Sequence, residues 1–138
     1  MDPRLDALIS EYQTRVAEAV ALLEAADLSR PSSHAEWAYR SVPQSGDIPG
    51  GFRYFKHGVG CRVEGPEWTV DFDFGPRGEI NGIDPHRLHR FSASRASATG
   101  LTSVGEIEDA IEDALRTGAL VVSGGHQIVR GSAHDRQP

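Results

Sequence analysis

The chain predicts an α+β domain, an antiparallel β-meander packed by an N-terminal and a C-terminal helix, with a second hairpin near the C-terminus. Three patterns predict it. Apolar residues recur at helical spacing from Leu5 to Ala26. Residues alternate between two faces along HGVGCRVEGPEWTVDFD, His57 to Asp73, with a turn-rich spacer in the middle. Ser103 and Gly118 then bracket a second amphipathic segment with helix start and stop signals.

The first helix carries Leu5, Leu8, Ile9, Tyr12, Val16, Ala19, Val20, Leu23 and Ala26 on one stripe. Asp2 before Pro3 combines a cap with a proline at the first helical position, and Ser29, Arg30 and Pro31 predict the end. The stripe suits a helix laid across the apolar face of a sheet better than a coiled-coil seam. Ser33 and Glu36 predict a capping box for a short helix carrying Trp37. A Pro/Gly-rich loop from Val42 to Gly51 follows, long enough to fold over a neighbouring surface.

Residues Glu64 to Glu67 have the length of a four-residue hairpin loop, which sets Val63 opposite Trp68, Cys61 opposite Val70, Val59 opposite Phe72 and His57 opposite Phe74. One face is then apolar. The other sets Arg62 against Thr69, Gly60 against Asp71 and Gly58 against Asp73, with Lys56 near its end. A slip of one residue would exchange the faces of one strand, so the shared parity of both strands supports the hairpin. Pro76, Arg77 and Gly78 predict a three-residue turn into a third strand, pairing Phe74 with Ile80 and Asp73 with Asn81.

Asp84 and Pro85 repeat the cap-then-proline signal and open a short helix through Phe91, with Leu88 and Phe91 facing inward. Ser92 to Gly100 reads as a surface connection. The next helix has Ser103 and Glu106 as its capping box and Val104, Ile107, Ile111, Ala114 and Leu115 as its stripe; Gly118 ends it. Leu120 to Val122 and His126 to Val129 flank Gly124 and Gly125 as a hairpin. Residues 1–130 are expected to form one domain, with 131–138 a frayed tail.

Composition narrows the function. A net charge of −6 argues against nucleic acid and against an anionic membrane, since both need a basic surface. One cysteine allows no internal disulfide, and no apolar run approaches the ~20 residues of a membrane span. The N-terminus opens a polar amphipathic helix rather than a signal sequence, so a cytoplasmic protein is expected.

Among the residues that can carry chemistry, Asp71 and Asp73 project to one face about 6.5–7 Å apart. They can converge on a divalent cation completed by His86 or His89, or accept hydrogen bonds from Arg62, Arg87 or a covering loop, and the second use is commoner for sheltered carboxylates. Gly58 and Gly60 leave room for a ligand or another backbone beside them. Gly58, Gly60, Arg62, Asp71, Asp73 and Arg87 are therefore the expected binding surface. His57 and Cys61 do not suit a nucleophile and its base: on one strand they would lie about 13 Å apart, with the thiol on the apolar side. His57 is expected at the core edge on a loop carbonyl. His34, His126 and His134 sit in cap, turn and tail contexts, and the Ser123–Gly125 run lacks P-loop spacing.

The ordered segments HGVGC, VDFDFG and GIDPHRL, within residues 52–91, resemble the signature of an uncharacterised bacterial domain family. The usual member reads GFD-x-W-R-L; Ile83 and His86 here replace its aromatic pair, so no role of those aromatics carries over. The family resembles small cytoplasmic accessory proteins around toxin and conflict loci, which implies an immunity-like role. The expected function is thus a protein-binding module, in the form of an immunity-type inhibitor of a toxin or effector, with no cofactor. The alternative is a small metal-assisted hydrolase built on Asp71 and Asp73 with His86 or His89.

Overall fold

A computed structural model describes residues 1–26, 28, 43–74, 83–94, 100–101, 103–123 and 127–131. The elements run α1 (Pro3–Ala25), β1 (Ser45–Ile48), β2 (Phe52–His57), β3 (Gly60–Glu64), β4 (Thr69–Asp73), α2 (Pro85–Ser94), α3 (Val104–Thr117), β5 (Leu120–Val122) and β6 (Ile128–Arg130). This is the α+β architecture that the sequence patterns predict. The chain forms two compact units, Tyr12–Asn81 and Met1–Glu11 with Gly82–Pro138. Helix α1 runs from one into the other.

Helix α1 starts as its sequence dictates. Asp2 Oδ1 accepts from Arg4 N at 2.8 Å and the Asp2 carbonyl from Asp6 N at 3.0 Å, around a proline whose missing N–H costs nothing there. Leu5, Leu8, Ile9, Tyr12, Val16, Ala19 and Leu23 are buried, so the helical stripe is a core stripe. Among the described residues no helix is long and apolar enough to cross a membrane.

The unit Tyr12–Asn81 is built on a four-stranded antiparallel sheet in the order β1-β2-β3-β4. Rows of partners define its faces. Tyr54, Val63 and Val70 form one row, and Lys56, Cys61 and Phe72 the next. All six are buried, together with Ile48, Trp68 and Phe74. From α1, the Tyr12 hydroxyl donates to the Asp71 carbonyl and the Arg15 guanidinium lies 5.8 Å from the Trp68 ring centre. Phe52 packs on Trp68 at 5.3 Å and Phe72 on Phe74 edge to face at 5.5 Å.

The strands and turns of this sheet differ from the sequence expectations. The stretch His57 to Val63 is not one strand: the chain reverses at Gly58 and Val59, so β2 and β3 are separate and paired. The Val42–Gly51 loop contains β1, paired Ser45 to Phe55 through Ile48 to Phe52. The turn between β3 and β4 is Gly65 to Trp68, closed by Gly65 N donating to the Trp68 carbonyl at 2.8 Å, so Val63 faces Val70 and not Trp68. The proposed third meander strand after Pro76 and the helix carrying Trp37 lie outside the described residues.

In the other unit, Asp84 caps α2 through Oδ1 on His86 N at 2.9 Å, and Leu88 and Phe91 are buried as expected. The helix continues past Phe91 to Ser94, with Ser92 buried and donating to the Leu101 carbonyl. Ser103 Oγ accepts from Glu106 N at 3.1 Å, and Gly118 ends α3 in the left-handed region at φ +83°. Ile107, Ala110, Ile111 and Ala114 make the buried stripe, whereas Val104, at the first helical position, is exposed. β5 and β6 pair antiparallel, and Ile83 bridges to Ile128.

Candidate functional site

The second face of the four-stranded sheet carries the residues of interest, and its geometry begins at Gly58. A two-residue hairpin turn requires positive φ at its first central position, and Gly58 supplies +56°. The turn places His57 directly across from Gly60, on the polar side of the sheet. His57 is therefore not a core-edge residue on a loop carbonyl. Its Nε2 lies 3.3 Å from Asp71 Oδ1, and because a carboxylate only accepts, the proton of that contact sits on Nε2.

Asp71 is the centre of the arrangement. Its side chain is only 6% exposed, and Arg62 Nε donates to both of its oxygens at 3.2 Å. Arg62 is its direct cross-strand partner. The expected pairing of Gly60 with Asp71 and of Gly58 with Asp73 is thus corrected by two residues: Arg62 faces Asp71, Gly60 faces Asp73, and Gly58 lies in the turn. A two-residue shift keeps every side chain on its face, which is why face and register come apart here.

Gly60 is a glycine for a steric reason. A methyl group built on it would collide with the Asp73 carboxylate and come within 2.7 Å of both His57 Cε1 and the Phe72 carbonyl oxygen. The close approach expected at the glycines is therefore made at Gly60 by Asp73 and His57 themselves. At Gly58 a methyl group would meet nothing within 4 Å, so its requirement is conformational only.

Two further residues belong to this face and escape a reading that begins at His57. Arg53 and Phe55 alternate with Tyr54 and Lys56 on β2, and the Arg53 guanidinium lies 5.1 Å from the Phe55 ring centre. Their signal is the period-2 pattern of Phe52 to His57. The cross-strand rows on this face are Asp47, Arg53, Glu64 and Thr69; then Ser45, Phe55, Arg62 and Asp71; then His57, Gly60 and Asp73. Charges alternate along the first row and oppose at the end of the second. Lys56, expected here, instead shares the row of Cys61 and Phe72 and is buried.

Cys61 lies fully buried on the other face, where burial pushes its thiol up to about 12, with Asp71 adding to the rise and a hydrogen bond from the Phe55 backbone opposing it. Such a thiol is protonated at neutral pH and is a poor nucleophile. Burial also raises the Tyr54 phenol.

His86, Arg87 and His89 lie on α2 in the other unit. His86 is exposed with its Nε2 2.7 Å from an Arg90 nitrogen, and Arg87 and His89 are half-buried. Among the described residues no group of three or more His, Cys, Asp or Glu side chains could hold a metal ion. Within the sheet, Arg62 already occupies both oxygens of Asp71.

The family profile described as a domain of unknown function, DUF6896, matches residues 5–131 of the chain. No curated protein and no solved structure matches it.

Proposed function

Because the chain belongs to the DUF6896 family, whose description names no activity, the function is read from the site, and we propose a protein-binding module that uses the polar face of the four-stranded sheet. The observation that carries this reading is how Asp71 is held. A carboxylate gripped at both oxygens by Arg62 and touched by His57 is committed to ordering the surface. With both oxygens engaged, it is poorly placed to take a metal. The more accessible groups around it, Arg53 stacked on half-buried Phe55, Asp47, Glu64 and His57, give an aromatic–arginine anchor with a rim of alternating charge on a rigid sheet. A face patterned in this way selects a partner by charge register as well as by area.

Within that class, we propose an immunity-type inhibitor of a toxin or effector, acting in the cytoplasm, a reading supported by the motif resemblance. The face is mixed in charge rather than acidic throughout, so the partner surface it fits is patterned too. The test is co-expression with the toxin or effector encoded beside the gene, with complex formation followed by gel filtration at moderate salt. Protection and a complex are expected. Arg53→Glu with Phe55→Asp should weaken binding by about tenfold or more, as hot-spot losses do. Neither protection nor a complex with the unaltered protein would overturn the reading.

A further inference from the structure

We draw no further inference here: the strongest candidate, the patch at the edge of the β5–β6 hairpin where Val121 and Val122 are exposed, carries nothing because no feature of the structure shows what covers it.

Discussion

On one face of the four-stranded sheet Cys61, Val63, Val70 and Phe72 interlock as apolar neighbours; on the other, Arg62 and His57 meet Asp71 through directed contacts, and Asp73 lies close against Gly60. The two faces respond differently to error. Sliding β3 against β4 by two residues exchanges one set of apolar pairs for another, Val63 meeting Trp68 in place of Val70. On the polar face the same slide removes Arg62 from Asp71 and leaves a sheltered carboxylate opposite a glycine. Burial supplies most of the energy on the first face, whereas the second selects one register among those burial tolerates.

The largest effect is expected from the apolar face. Phe72 is 1% exposed and packs edge to face on Phe74. Phe72→Ala should cost about 3–5 kcal/mol, read as a lower urea midpoint at unchanged slope. A loss below about 1 kcal/mol would mean that this face is not the energetic core.

Gly60 joins the two faces, since its space is limited by a polar-face carboxylate and by the backbone of Phe72. Gly60→Ala should cost about 2–3 kcal/mol through overpacking, and Gly58→Ala about 1 kcal/mol through left-handed strain alone. Asp73→Ala combined with Gly60→Ala should recover only part of the loss, because the Phe72 carbonyl remains 2.7 Å from the added methyl. Chemical denaturation of these three variants beside the unaltered protein decides it. Equal costs at the two glycines would remove the steric account of Gly60.

The same contrast explains what is legible in the sequence. Both faces follow from period-2 alternation, and both helix ends of α3 follow from Ser103 and Gly118, because those signals are local. The register did not follow. Val63 opposite Trp68 and Val63 opposite Val70 both bury apolar sets, so alternation alone does not choose between them. Gly65 lies so close to the Phe52 ring of β2 that an added methyl would come within 2.7 Å of Phe52 Cδ1, a contact no two-strand reading contains. The turn at Gly58 and Val59 is hidden because HGVGC continues the alternation of a strand. What betrays it is a glycine leading a two-residue turn between FRYFKH and GCRVE. Arg62 was legible as a partner for the carboxylates, while His57 could not be until the reversal carried it to the other face.

Asp71 and Arg62 test the polar face by asymmetry. Arg62→Met leaves a carboxylate that is 6% exposed without its guanidinium, whereas Asp71→Asn releases an arginine that is 39% exposed and readily hydrated. The first should cost about 1–3 kcal/mol, less than a wholly buried pair because Arg62 is partly solvated, and the second about 1 kcal/mol. Combining them should cost less than the sum. Equal single costs and strict additivity, measured by urea titration, would reduce the pair to an ordinary surface contact.

The smallest effect near neutral pH, growing with alkalinity, belongs to the one ionisable thiol of the apolar face. Cys61 is held protonated to about 12 in the folded protein, while in the unfolded chain it releases its proton near the ordinary thiol value of about 9. Above that value the unfolded state binds fewer protons, so stability falls as pH rises, and the contribution is intact below pH 9 and lost progressively toward pH 12. At pH 10 the loss should be about 1.4 kcal/mol relative to pH 8. Cys61→Ala should lack this slope while retaining the common slope of the tyrosines, so the difference between the two proteins isolates the thiol. A thiol reagent at pH 8 should react with the native protein on the order of a thousandfold more slowly than with the urea-unfolded chain. Parallel pH profiles for the two proteins, or rapid labelling of the native state, would place Cys61 in a wetter environment than an interlocked apolar face allows.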